Sequence, residues 1–165
     1  MPSVSEIKGL LAAVVTRLAE GDDYSGTEVL GNKPGDMVNQ VQTQLAACGI
    51  YTLVSIPRGQ SANRQSSRPI LDPLDVYVLI REDPELNKTG KDATFLAERG
   101  FARLQWWTPP KDTVPGGYML TLAPAGMQEL DFRVKQHADD PDDSAIKIHS
   151  WELLFHTKLA LTPAT

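Results

Sequence analysis

A chain of 165 residues with 41% hydrophobic content can bury a real core, and it is most economically read as one domain, residues 1–165, because two would be cramped. The net charge of −5 argues against a general nucleic-acid binder, which concentrates a basic excess on one surface, and leaves room only for a local basic patch. One cysteine excludes an intrachain disulfide and suits a reducing interior; no signal-peptide pattern opens the sequence, and no apolar run approaches the roughly 18 residues of a membrane span.

In chain order, Ser3 and Glu6 form a capping box ahead of Ile7, Leu10, Leu11, Val14, Val15 and Leu18, whose spacing predicts a first helix closed by Gly21-Asp22-Asp23. Asp36 is a plausible N-cap for a second helix, with Val38, Val41, Leu45 and Cys48 on its apolar face and Gly49 as its stop. Its other face holds Asn39, Gln40, Gln42, Thr43 and Gln44, either an ordinary polar face or a contact surface. Ile50–Ile56 is β-branched and aromatic enough for a strand ended by Pro57. Leu74–Arg81 alternates: Val76, Val78 and Ile80 share one face, and Asp75, Tyr77, Leu79 and Arg81 the other.

The turn Glu82–Asp92 follows, with Pro84 ending the ladder and Thr89 as N-cap of a helix from Thr89 to Trp107. Ala93, Leu96, Ala97, Gly100, Leu104 and Trp107 form its apolar face, and Gly100 in mid-face suggests close approach to the strands beneath. Phe95, Ala102 and Trp106 make a second stripe, to be covered either by another helix of the subunit or by a neighbouring subunit. Thr108-Pro109-Pro110 ends the helix. Tyr118–Leu122 reads as a strand, and so does the alternation of Leu130, Phe132 and Val134. Ala145–Leu161 is a long strand whose apolar phase changes, which predicts a bulge near His149-Ser150. The order α-α-β-β-α-β-β-β defines an α+β fold, a mainly antiparallel β-sheet flanked by helices.

Three long loops are expected. Residues 57–73 carry Arg58, Arg64 and Arg68; residues 107–117 are rich in proline and glycine; residues 137–144 carry Asp139, Asp140, Asp142 and Asp143. In a monomer such charges only solubilise, whereas in a head-to-tail ring an acidic loop would meet the basic loop of the next subunit.

Catalytic signatures fail one by one. Lys88-Thr89-Gly90-Lys91 lacks the spacing of a phosphate loop, and the aspartate cluster lacks the ligand order, central glycine and terminal glutamate of a calcium loop. His149 and His156 fall on opposite faces of a regular strand, Cys48 continues an apolar stripe, and no serine-hydrolase elbow is present. The expectation is a chain that is not an enzyme, with no catalytic residue, metal or cofactor.

The run from Val76 to Trp107, with Glu82, Pro84, Asn87, Lys88, Thr89, Gly90 and Lys91 before the helix, resembles the strand-to-helix turn of tail terminator and neck proteins of tailed phages. The element order over about two-thirds of the chain resembles that family too. The resemblance implies a ring homo-oligomer, commonly a hexamer, that caps the tail tube in the virion and meets the head-tail connector proteins, after assembly in the host cytoplasm. Candidate interface residues are Phe95, Trp106, Arg58, Arg64, Arg68, Asp139, Asp140, Asp142 and Asp143, with the arginines alternatively lining a lumen and touching passing DNA; no membrane partner is expected. The alternatives are a head-completion or connector protein, another tail structural protein or, from a different class, a small cytoplasmic enzyme or ligand-binding protein with an unrecognised pocket.

Overall fold

The computed structural model describes residues 5–31, 47–62, 68–111, 118–119, 121–134, 139, 141 and 146–162. Helix α1 (Glu6–Ala19) is followed by strands β1 (Glu28–Gly31), β2 (Ile50–Ser61) and β3 (Ile70–Glu82), helix α2 (Ala93–Leu104), and strands β4 (Tyr118–Met119), β5 (Ala123–Val134) and β6 (Ile146–Ala160). The strands form one six-stranded sheet in the order β1-β2-β3-β6, beyond which β4 and β5 both pair with β6. Among the described residues only β1–β2 is parallel; every other pair is antiparallel. This is the expected α+β class, with one strand more than the sequence indicated: β1 is short, and its Glu-Val-Leu-Gly run gives too little alternation to stand out.

The ends of elements differ from expectation for local reasons. Ser5, not Ser3, caps α1, its side chain accepting from Lys8 N at 3.3 Å. Asp92, not Thr89, caps α2, accepting from Phe95 N at 2.7 Å, because the Thr89 hydroxyl is engaged within the turn. The second expected helix, capped at Asp36 and stopped at Gly49, lies outside the described residues up to 46, and helical backbone is described at 47–48. Pro57 does not end β2. The strand passes through register shifts between Ser55 and Ser61, the sort of position at which a ladder tolerates a residue with no N–H. The expected loop 57–73 is thereby reduced to the connection between Ser61 and Ile70, and Arg58 is a strand residue.

β6 needs no bulge at His149-Ser150, since its pairing with β3 and β5 runs unbroken through both residues. Ile148 and Ser150 therefore face away from the helices, yet both are buried. The phase change read as a bulge marks a strand with two buried faces near its start. β2 shows the same feature, with Ile50 to Val54 all buried.

One core lies between the helices and the inner sheet face. Leu10, Val14 and Leu18 of α1 and Leu96 and Leu104 of α2 pack with Val76, Val78 and Ile80 of β3 and Leu153 and Phe155 of β6. The Phe101 and Phe155 rings meet at 5.4 Å. Gly100 does admit a close neighbour, but a different one from that expected. A Cβ there would collide first with the hydroxyl of Tyr24, which donates to Leu96 O at 2.6 Å, and only then approach Leu153 of the sheet. The helix C-termini brace each other. Arg17 Nε donates to Arg103 O and Arg103 Nη1 to Arg17 O, both at 3.4 Å, which gives terminal carbonyls cationic donors.

Two predictions follow from this packing. Leu104 is fully buried, so Leu104→Ala is expected to cost about 2–5 kcal/mol in urea melts. Burial, reinforced by the charge of Asp23, pushes the Tyr24 phenol up. The unfolded chain therefore ionises this tyrosine near its ordinary value of about 10 while the folded chain holds the proton. Stability present below that pH falls as pH rises above it, and melts from pH 8 to 11 should show a shallower fall for Tyr24→Phe.

Candidate functional site

The segment joining β3 to α2 is organised by two side chains. Asn87 closes the turn on itself: its Oδ1 accepts from Thr89 N at 3.0 Å and from the Thr89 hydroxyl at 2.7 Å, and its Nδ2 donates to Lys91 O at 2.8 Å. The same amide nitrogen donates to Glu82 Oε2 at 2.5 Å. Glu82, at the end of β3 and only 6% exposed, also accepts from Ala93 N at 3.1 Å. A carboxylate at a helix N-terminus meets an unpaired N–H and the positive end of the helix dipole together. Lys91 then ties the turn to the α1–β1 connection, donating to Asp22 O and Ser25 O, each at 2.6 Å. Of the run Lys88-Thr89-Gly90-Lys91, Thr89 and Lys91 thus bind the protein's own backbone.

Gly49 seats the turn from below. Its φ is +76°, its carbonyl accepts from Asp83 N at 2.8 Å, and a Cβ there would strike the backbone of Leu86 and Asn87. Read from sequence as a helix stop, it is also the contact that lets the turn lie on the start of β2. Nothing in local spacing signals that second role.

Both described histidines of β6 pair with carboxylates, and they do so on opposite faces as a regular strand requires. On the helix side, His149 Nε2 stands 2.7 Å from Glu129 of β5, and its Nδ1 stands 3.7 Å from Glu82. On the other face His156 Nδ1 lies 2.8 Å from Asp75, directly across the ladder. The Glu129 carboxylate orients the His149 imidazole, although Glu129 is 51% exposed and the contact is screened by water, whereas the close approach of His156 Nδ1 to Asp75 lacks hydrogen-bond geometry. The Cys48 thiol donates to Ile50 O at 2.9 Å. Among the described residues no group of three or more metal-ligating side chains comes together, and no helix is long and apolar enough to cross a membrane.

The candidate interface residues separate in space. Arg58 is exposed on β2 at the register position opposite Asp75, and Arg68 donates through Nε to Leu161 O at 3.3 Å, which fastens the start of β3 beside the end of β6. Asp139 is exposed on the β5–β6 connection. Arg64, Asp140, Asp142 and Asp143 lie outside the described residues. The antiparallel order puts the β2–β3 connection and the β5–β6 connection at opposite ends of the sheet. β6 alone has 15 residues, about 50 Å of extended chain. The strand ends to which the basic and acidic segments attach are therefore far apart within one subunit.

The expected stripe of Phe95, Ala102 and Trp106 does not form. Phe95 is half-buried against the core margin, with the Arg99 guanidinium 5.4 Å from its ring centroid, whereas Trp106 lies beyond the end of α2. Trp106 has φ +58° and is 64% exposed. Its N–H donates to Leu122 O at 2.7 Å, and Leu122 N donates to Trp107 O at 2.9 Å. Trp107 turns inward, its ring 5.5 Å from the Arg17 guanidinium. A left-handed residue after a helix is usually glycine, so an exposed indole held there is the least expected side chain of the region.

A scan against protein-family models finds no match, and no curated protein matches the sequence.

Asn87→Ala should remove the donor to buried Glu82 and unlock the turn, at a cost of about 2–3 kcal/mol measured by denaturant melts. Gly49→Ala should be worse still, since the added carbon meets backbone and the φ is positive.

Proposed function

We propose that this chain is a non-enzymatic structural protein of a phage virion, a tail terminator that forms a ring, caps the tail tube and joins it to the head connector. The observation that carries the reading is the placement of the basic and acidic connections at opposite ends of one sheet, with Arg58 and Asp139 exposed. A closed ring needs two unlike surfaces on one subunit, each complementary to the other on its neighbour, because like surfaces pair two-fold and stop at a dimer. Charged segments attached at opposite ends of one sheet suit pairing between subunits. The resemblance of the Val76–Trp107 junction to the tail terminator family supplies the biological setting, and the wired turn explains why that junction would be kept rigid in a subunit under load. Trp106 supports the reading from another side, as a large apolar group at a backbone position that favours glycine.

The mechanism is edge closure. The end of a growing tube exposes repeating contact sites, and a ring that matches them on one side while presenting a different surface on the other prevents further addition.

The test compares purified chain, alone and with tail tubes, by native mass measurement and electron microscopy. Wild-type chain should form rings on the tubes. Arg58→Glu combined with Arg64→Glu should leave melting unchanged and reduce ring formation through like-charge repulsion. Trp106→Gly should remain within about 1 kcal/mol of wild type in stability, the lost contacts being offset by relief at the left-handed position, and yet assemble less well. A wild-type chain that never rings with tubes, or variants that assemble like wild type, would overturn the proposal.

A further inference from the structure

Among the described residues three large apolar side chains are exposed: Leu86 at 50%, Trp106 at 64% and Met127 at 38%. Met127 lies within β5, opposite Leu153 on the core face of the sheet, and a single apolar residue there needs no partner. Leu86 and Trp106 differ from it, because ordered backbone holds each of them outward. Leu86 N donates to Asp83 O at 3.1 Å, Asn87 N to the same oxygen at 2.9 Å, and Glu85 N to Asp83 Oδ1 at 3.0 Å, while Gly49 lies against the backbone of Leu86 and Asn87. Trp106 is fixed at its left-handed φ by its own bond to Leu122 and by that of Leu122 to Trp107. Side chains presented by backbone that is already ordered lose little freedom on association, and tryptophan is among the residues that most often dominate an interface.

The two stand at opposite ends of the sheet. Leu86 belongs to the turn after Glu82, which faces His149 near the start of β6, and this is the end from which the β5–β6 connection departs. Trp106 bonds to Leu122, the residue before Ala123, which faces His156 near the end of β6. That is the end of the β2–β3 connection, since Ile70 faces Ala160. Between the two lies α2, whose 12 residues span about 18 Å.

Charge divides in the same way. Residues 82–92 hold Glu82, Asp83, Glu85 and Asp92 against Lys88 and Lys91, and the Lys91 ammonium is taken up by Asp22 O and Ser25 O. Glu85, Lys88 and Asp92 are exposed. Residues 99–111 hold Arg99, Arg103 and Lys111 and no acid. A two-fold contact through either end would set like charges together. A head-to-tail contact sets the acidic turn against the basic helix end, and Leu86 against Trp106.

We propose that Leu86 of one copy of this chain docks on Trp106 of the next, with the acidic turn facing the basic end of α2. The proposal rests on the ring reading and names the contact that closes the ring.

The experiment places a cysteine beside each of the two side chains in a Cys48→Ser background. Chains carrying Lys88→Cys are mixed with chains carrying Gln105→Cys and treated with a short bismaleimide, in solution and with tail tubes, circular dichroism establishing that each is folded. The mixture should give a covalent dimer that neither chain gives alone. Leu86→Ser added to the first chain should lower its yield about tenfold, the effect of truncating a dominant contact residue, without changing the melt. Glu85→Lys should lower it too, by like-charge repulsion. Absence of the mixed dimer in both settings, an equal dimer from either chain alone, or a yield indifferent to both substitutions would overturn the proposal. Rings on tubes without the mixed dimer would overturn this contact alone. A mixed dimer in solution from a chain that never rings on tubes would overturn the tail terminator reading and leave the head-to-tail contact standing.

Discussion

The carboxylate of Glu82 is the constraint on which the rest of the molecule depends. It ends β3, accepts from the first N–H of α2 and from the amide of Asn87, and stands across the ladder from His149. Removing a carboxylate from water is expensive unless hydrogen bonds replace the lost solvent, and here the replacements come from a helix start and a turn, with His149 of the neighbouring strand 3.7 Å away. The angle at which α2 leaves the sheet is fixed by that coincidence of donors. Once α2 lies down at that angle, Leu96, Gly100 and Leu104 are directed inward and the core closes over β3 and β6.

The layer above the sheet is held in a second way, through contacts between the two helices. Tyr24, at the end of α1's connection, reaches the backbone of α2 exactly where Gly100 leaves space, and the paired arginines at 17 and 103 join the terminal turns. A large residue at 100 would not simply overpack an apolar core. It would also displace the buried Tyr24 hydroxyl from the carbonyl of Leu96, leaving that hydroxyl without this partner, so its cost combines sterics with lost hydrogen bonding. Small size at that position is dictated by a polar contact from a segment that is not part of the helix face.

Sequence patterns revealed what repeats and hid what does not. The buried faces of α1, β3 and α2 were legible because burial there follows a single period, as with Val76, Val78 and Ile80. β6 misled because two buried faces produce a run whose phase shifts without any change in the backbone, and only the pairing with β3 and β5 distinguishes that from a bulge. Capping was misassigned by two or three residues at each helix because more than one capping residue precedes each start, and at α2 the choice is decided by the Thr89 hydroxyl being already engaged with Asn87. The stripe of Phe95 and Trp106 assumed that the helix continued to Trp107, but it stops at Leu104 and the left-handed turn separates the two rings. Of the charged candidates, the separation of basic from acidic segments could be read directly, whereas the attachment of Arg68 to Leu161 could not, since it joins residues far apart in the chain.

Charge position within the sheet bears on assembly more than net charge does. An antiparallel sheet sends successive hairpin connections alternately to its two ends, so a basic connection after β2 and an acidic one after β5 are placed on opposite sides of the subunit by topology alone. Side-chain chemistry has only to supply the signs. The same topology leaves β5 at the rim, where its only strand partner among the described residues is β6. Unlike ends favour head-to-tail contact, because two-fold contact needs the same surface on both subunits.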